Sequence, residues 1–141
     1  MKKTIFITGA AKRIGKEIAL CFSEMGWNII IHYNSSKNDA QVLADEINGN
    51  NPDSAITVQG NLDVKEDVEK VINEVRDAFP TIDLLINNAS TFYPTPIEDI
   101  SEEHWDKLVG SNLKGPLFLI KGLRDKLKES KGSIINITDT N

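Results

Sequence analysis

Five short apolar runs alternate along the chain with segments of helical periodicity, and this alternation restricts the fold more than any other feature. The runs are rich in β-branched residues and almost free of polar interruptions, which is typical of strands covered on both faces. They occupy residues 4–7, 28–31, 55–58, 84–86 and 133–137. Because connections between parallel strands are long and right-handed, the pattern predicts an α/β fold, a three-layer, doubly wound parallel sheet with helices on both faces.

The segments between the runs carry apolar residues at the three- and four-residue spacing of amphipathic helices. The last of them is long, from residue 101 to 128, and is acidic at its start and basic at its end, as the helix dipole favours. We expect its apolar stripe to be buried, together with an amide that then needs partners. The stripe comprises Trp105, Leu108, Val109, Leu113, Leu117, Ile120, Leu123 and Leu127, and the amide among them is that of Asn112.

The composition fits one ordered domain without a targeting segment. The 141 residues are 40% hydrophobic and 26% charged, with a net charge of -5, which excludes disordered and collagen-like chains. The apolar run at the N-terminus is too short to span a membrane, and the single cysteine, Cys21, cannot form an internal disulfide. We therefore predict a cytoplasmic protein that binds neither membranes nor nucleic acid, since nucleic-acid binding needs a basic surface.

The first strand leads directly into a glycine turn, T-G-A-A-K-R-I-G at residues 8–15, and then into a helix. In this order of elements, backbone N–H groups at a helix N-terminus bind the phosphates of a dinucleotide. The P-loop motif does not fit, because five residues separate Gly9 from Gly15 and Glu17 follows Lys16. Taken alone, the glycine pair is equally compatible with a turn that only starts a helix.

Polar segments follow the second and third strands. Residues 32–37, H-Y-N-S-S-K, contain no carboxylate of the kind that binds the ribose 2′-hydroxyl of NAD, and their hydroxyl, amide and ammonium groups suit a 2′-phosphate instead. His32 is expected to be a packing residue rather than a metal ligand, because no second ligand lies at useful spacing, and we predict no metal site. In the segment N-L-D at residues 61–63, Asp63 is predicted to cap the next helix.

Three further motifs lie in the C-terminal half. The fourth strand ends in N-N-A-S at residues 87–90 and continues as T-F-Y-P-T-P at residues 91–96. The long helix contains S-N at residues 111–112, and the fifth strand ends in N-I-T-D at residues 136–139. Pro116 has no N–H group, so the carbonyl of Asn112 loses its usual helical partner and is free to bind water.

These motifs, in this order, resemble the short-chain dehydrogenase/reductase family over the whole chain. The glycine turn is similar to the family's T-G-x-x-x-G-x-G, with Arg13 in place of the middle glycine. That arginine, the N-N-A-S segment and the F-Y-P-T-P string resemble the NADP-preferring pteridine reductases, although Ser35 replaces the arginine of their H-Y-x-R-S segment. The resemblance implies a Rossmann-like NADP-binding domain over residues 1–141, with cofactor-binding residues Gly9, Lys12, Arg13, Ile14, Gly15, Tyr33, Asn34, Ser35, Ser36, Asn61, Leu62, Asn88, Ala89 and Ser90.

The resemblance also implies an activity, the NADPH-dependent reduction of a C=N bond in a pterin or dihydrofolate. In that subfamily a phenylalanine stacks on the pterin ring, and Phe92 is the matching residue. The expected catalytic residues are Asp139, which would assist proton delivery to a ring nitrogen, and Asn112, whose backbone carbonyl would hold a relay water. Two alternatives stay open: a general carbonyl or 3-oxoacyl reductase of the same family, and a nucleotide-binding fragment without chemistry.

The family's Y-x-x-x-K pair, which supplies and activates the proton donor, is expected beyond Asp139, and the sequence ends before that place. Tyr33 and Lys37 have the same spacing but lie in the segment after the second strand. We therefore expect an N-terminal portion of a longer fold, with the sheet incomplete on its C-terminal side and no activity in the isolated chain. An uncovered edge strand favours pairing between chains, so we also expect a homo-oligomer.

Overall fold

The structure, a computed structural model, describes residues 1–139, and its centre is a five-stranded sheet in the order β3-β2-β1-β4-β5. All four neighbouring pairs are parallel. The doubly wound α/β fold predicted from the alternation of runs is confirmed. The strands are β1 (Thr4–Ile7), β2 (Asn28–Tyr33), β3 (Ala55–Gln59), β4 (Leu84–Asn87) and β5 (Ser133–Asn136).

Helices cover both faces of this sheet. The first two pack on one face, and the third and fifth pack on the other. Within residues 1–139, no helix combines the length and the apolar character needed to cross a membrane. The helices are α1 (Arg13–Glu24), α2 (Lys37–Asn50), α3 (Lys65–Ala78), α4 (Glu102–Val109) and α5 (Gly115–Ser130).

Alternate residues of the central strand β1 pack against the two helical layers. Ile5 and Ile7 belong to the core formed with α1 and α2, whereas Phe6 belongs to the core formed with α3 and α5. Because successive side chains of a strand point to opposite faces, a central strand in a three-layer fold needs an apolar residue at every position. This requirement explains the unbroken apolar run from which β1 was predicted.

The fifth strand is exposed, so the covering of both faces that its apolar run indicates is wrong, whereas the expectation of an uncovered edge strand agrees with the structure. Ile134 and Ile135 keep 40% and 47% of their surface accessible. In the part of the chain that the structure describes, β5 pairs only with β4 and forms the edge of the sheet. An apolar run indicates a strand but does not indicate where that strand lies in the sheet.

The long final helix is also different from the prediction, because a π-helical turn at Gly110–Lys114 separates α4 from α5. In this turn the N–H group of Gly115 bonds to the carbonyl of Gly110, five residues earlier. Pro116 cannot donate to the carbonyl of Asn112 as an α-helix would require, which favours a wider turn at this place.

The π-helical turn changes which residues of the predicted stripe are buried. An additional residue in one turn shifts the phase of a helix by about 100°, so one apolar face cannot continue unchanged across it. As a result Leu123 and Leu127 of the predicted stripe are buried against the sheet together with Leu119, which the stripe does not include, whereas Trp105, Leu113 and Leu117 are exposed.

Candidate functional site

A crevice forms at the carboxyl ends of β1 and β4, where the strand order reverses. The chain passes from β1 outward to β2 and β3 and then returns to the other side of β1 as β4. In doubly wound sheets, ligands bind at this switch point because the loops on either side diverge. The two loops that meet here are the glycine turn after β1 and the N-N-A-S segment after β4.

Thr8 and Asn88 join these two loops by hydrogen bonds. The hydroxyl of Thr8 accepts from the backbone N–H groups of Asn88 and Ala89, each at 2.9 Å. The side-chain amide of Asn88 donates to the carbonyls of Thr8 and Gly9 at 3.0 and 3.1 Å. Because these bonds satisfy backbone groups at two strand ends, the walls of the crevice are well defined before any ligand binds.

The two glycines of the turn are needed for different reasons. Gly9 has φ +60°, a conformation that favours glycine, and a Cβ atom there would lie 3.0 Å from the Cα of Ala89. A Cβ atom on Gly15 would lie 2.5 Å from the carbonyl oxygen of Gly9. The turn and the start of α1 therefore pack in direct backbone contact, and the N-terminus of α1 lies beside the crevice.

Arg13, the first residue of α1, adopts φ +52°. This left-handed conformation costs an L-residue about 1 kcal/mol relative to glycine. The residue that carries the guanidinium at the mouth of the crevice is therefore held in a strained backbone conformation. The position is the one at which the family pattern has its middle glycine.

A cavity of about 500 Å³ lies at the crevice. Of the predicted cofactor-binding residues, Gly15, Tyr33, Ser35 and Ser36 do not line it. Gly15 packs against the turn, Tyr33 is the last residue of β2, and Ser35 and Ser36 lie between β2 and α2. The structure brings the remaining ones together around this cavity, and they are Gly9, Lys12, Arg13, Ile14, Asn34, Asn61, Leu62, Asn88, Ala89 and Ser90.

His32 also lines the cavity, at the end of β2, and is buried. Its Nδ1 accepts a hydrogen bond from the N–H group of Gly9 at 3.1 Å, and its Nε2 lies 2.9 Å from the carbonyl oxygen of Gly60. These partners place the proton of the neutral ring on Nε2. Burial lowers the pKa of His32 to about 4, against a smaller opposing effect of the bond to Gly60.

His32 therefore does more than the packing predicted for it. It links the glycine turn to the loop after β3 through its two ring nitrogens. Nothing in the local sequence indicates this link, because the three residues come together only when β1, β2 and β3 pair.

The prediction that Asp63 caps α3 was wrong. The helix begins at Lys65 after Val64, and no side chain caps it. The side-chain oxygen of Asn61 instead accepts from the N–H group of Asp63 at 3.0 Å, and this turn delays the start of the helix. The carboxyl group of Asp63 lies at the cavity, where burial raises its pKa, an effect that Lys107 and Ser111 partly offset.

A second cavity of about 500 Å³ adjoins the first and brings together Phe92, Asn112 and Asp139. The 89–91 segment lines both cavities. Phe92 is 83% exposed. The predicted catalytic and substrate-binding residues thus lie around one cavity, next to the cavity lined by the predicted cofactor-binding residues.

The amide of Asn112 is exposed, not buried as predicted, and both of its ends have partners. The oxygen accepts from the N–H group of Thr91 at 3.1 Å, and the nitrogen donates to the carbonyl of Thr91 at 2.7 Å. Asn112 therefore anchors the backbone of the loop that carries Phe92 to the π-helical turn. Among residues 1–139, no group of three or more His, Cys, Asp or Glu side chains is arranged to hold a metal ion.

The strand order, the switch-point crevice and the glycine turn define a Rossmann-like protein of the doubly wound α/β class. A family model described as short chain dehydrogenase matches residues 3–141. The chain belongs to the short-chain dehydrogenase family.

Relatives in this family differ in their named activities. The 3-oxoacyl-(acyl-carrier-protein) reductase FabG of Staphylococcus epidermidis is 33% identical over 98% of this chain and 57% of its own length. An NAD-dependent glycerol dehydrogenase of Listeria innocua is 35% identical over 96% of the chain and 52% of its own length. The chain thus spans about half the length of the curated relatives that it matches.

A solved structure with a similar fold is named for a different activity. The crystal structure of FolM Alternative dihydrofolate reductase 1 from Brucella suis in complex with NADP superimposes with a TM-score of 0.88 at 32% identity. The match covers 96% of this chain and 56% of the Brucella chain.

Proposed function

We propose that residues 1–141 form the NADP-binding, Rossmann-like domain of an NADPH-dependent reductase, and that pterins or dihydrofolates are its substrate class. The observation that carries this proposal is the pair of adjoining cavities, one lined by the glycine turn and the other by Phe92, Asn112 and Asp139. The similarity to a dihydrofolate reductase complexed with NADP supports both the proposed cofactor and the proposed substrate class. Assembly into homo-oligomers through exposed apolar surfaces belongs to the same proposal.

The residues present fit a dinucleotide with a 2′-phosphate. Gly9 brings the backbone of the turn to the cavity, and the N-terminus of α1 favours a phosphate. Lys12 and Arg13 line the cavity with cationic groups, and Arg13 offers a fork of donors to phosphate oxygens. Family membership alone does not decide between NADP and NAD as the cofactor, because the Listeria relative is named as NAD-dependent.

Replacing Arg13 with glycine is expected to have opposite effects on stability and on binding. The free energy of unfolding should rise by about 1 kcal/mol, because glycine adopts φ +52° without strain. The affinity for NADPH should fall about tenfold, while the affinity for NADH changes little, because only NADPH carries the charge that the guanidinium binds. Urea denaturation and fluorescence titration with both nucleotides measure these effects.

The wild-type titration is itself the test of cofactor choice. NADPH should bind more tightly than NADH, and equal affinities would contradict the assignment of Arg13 and of the 35–37 segment to the 2′-phosphate.

In the second cavity, this chain's own residues would bind the substrate and move a proton. The bound cofactor supplies a hydride. The exposed ring of Phe92 gives a flat heteroaromatic substrate a stacking surface. The carboxyl group of Asp139 would assist proton delivery to a ring nitrogen, and Asn112 positions the Phe92 loop through Thr91.

Replacing Phe92 with alanine is expected to weaken the binding of dihydrobiopterin at least fivefold in the presence of saturating NADP, because about 1 kcal/mol of stacking is lost. The unfolding free energy should change little, since the ring is exposed. Isothermal titration calorimetry measures the binding. Phe118 lies on α5 outside this cavity and provides the matched control, Phe118→Ala. Equal binding by the Phe92 variant and the wild type would contradict the role of Phe92.

A 3-oxoacyl or general carbonyl reductase is the second candidate, and the FabG relatives favour it. The two activities differ in the bond that is reduced, C=N or C=O. Because the isolated chain is expected to be inactive, the test is calorimetric binding, in the presence of saturating NADP, of dihydrobiopterin, dihydrofolate and a panel of ketones and 3-oxoacyl thioesters. Binding of the carbonyl compounds alone would contradict the pterin proposal.

A further inference from the structure

An ion pair connects the glycine turn to the first turn of α2. The ammonium nitrogen of Lys12 lies 3.3 Å from a carboxylate oxygen of Asp39, and the two side chains are 58% and 52% exposed. Lys12 is the N-cap residue of α1 and lines the cofactor cavity. One of the cations that line the cofactor cavity is therefore already paired with a carboxylate of the same protein.

Asp39 differs in charge from the groups around it. The first turn of α1 contains no acidic residue, and Asp39 is the acidic residue in the first turn of α2. Arg13 and Lys37 begin these two helices with positive charge. A phosphate monoester, which carries nearly two negative charges at neutral pH, would meet these cations and, beside them, one like charge.

We propose that Asp39 is a specificity-determining residue, an internal counter-ion that weakens the binding of the 2′-phosphate and so reduces the preference for NADPH over NADH. This inference rests on the proposed use of NADPH. Asp39 weakens the binding of the 2′-phosphate in two ways. It competes with the phosphate for the ammonium of Lys12, and it repels the phosphate directly. Because both side chains are about half exposed, solvent and salt screen each effect.

The test compares Asp39→Asn with the wild type by fluorescence titration of NADPH and NADH at 20 mM and 500 mM salt. At low salt the variant should bind NADPH about three- to tenfold more tightly, as expected for about 1 kcal/mol of surface electrostatics. NADH affinity should stay within about twofold, and high salt should reduce the gain.

Two further variants identify the origin of the effect. Asp45→Asn removes the same charge from the same helix at a place where the carboxylate accepts from Gln41 at 2.8 Å, and it should leave the NADPH affinity unchanged. In a Lys12→Gln background, Asp39→Asn should gain less than in the wild type, because competition for the ammonium is no longer possible.

The outcomes separate this inference from the proposed function. If the wild type binds NADPH and Asp39→Asn binds it equally or more weakly, the counter-ion role is wrong and the proposed function stands. If the wild type does not bind NADPH, both are overturned.

Discussion

Substituting Gly15 with alanine is expected to destabilise the protein by about 3 kcal/mol and to abolish NADPH binding. The added Cβ atom would lie 2.5 Å from the carbonyl oxygen of Gly9, 2.7 Å from Nδ2 of Asn88 and 2.8 Å from the Cα of Ala10. Two of these three neighbours are backbone atoms, so the turn itself would have to move. Urea denaturation and NADPH titration measure the two losses.

The matched control is Gly49→Ala in α2, where the added methyl group would meet nothing within 4 Å apart from the helix's own backbone. Alanine is the better helix former, so this variant should gain up to about 1 kcal/mol of stability and bind NADPH normally. Normal NADPH binding by the Gly15 variant would show that close packing between the turn and α1 is not needed for the site.

Lowering the pH from 7 to 4 is expected to remove about 3 kcal/mol of stability through His32. The pKa of this residue falls from its ordinary value of 6.5 to about 4 in the folded protein. Between these values the unfolded chain binds a proton that the folded chain does not, so stability is complete above pH 6.5 and is lost as the pH falls toward 4. Protonation would also remove the acceptor that Nδ1 offers to the N–H group of Gly9.

His32→Gln isolates this contribution, because glutamine keeps a donor and an acceptor but cannot take up the proton. The measurement is the unfolding free energy of both proteins in urea at intervals between pH 7 and pH 4. The difference between them should fall by about 3 kcal/mol over this range, with the wild type losing more. A difference that stays constant with pH would mean that the folded protein accommodates the charged ring.

The central part of the fold could be predicted because Ile5, Phe6 and Ile7 of β1 alternate between two apolar layers. The resulting apolar run can be recognised in the local sequence. The edge position of β5 was expected only from the family resemblance, which implies an incomplete sheet, and not from local composition. Its residues have the same apolar character, but exposure depends on which strands pair with it, and Ser133 pairs with Leu84 far away in the sequence. The π-helical turn was predicted only in part, since Pro116 indicated a lost hydrogen bond but not the change of helical phase.

The site shows the same division. Site residues that lie within a single motif, such as the glycine turn and the 88–90 segment, could be predicted from the sequence. The structure brings most of them to one cavity. Contacts between residues of different motifs could not be predicted from the sequence. The pairing of Lys12 with Asp39, the link from His32 to Gly9 and the anchor of Asn112 on Thr91 each depend on how separate loops meet.

The bonds between Thr8 and Asn88 join residues that are 80 positions apart. Such non-local contacts form late in folding, because the entropy of closing a long loop must be overcome first. During synthesis, β1 through β3 can pair before β4 has been made, but the crevice has only one wall until β4 arrives. A ligand that contacts both loops of the crevice stabilises only chains in which β1 and β4 have paired. Nucleotide affinity is therefore a measure of completed folding.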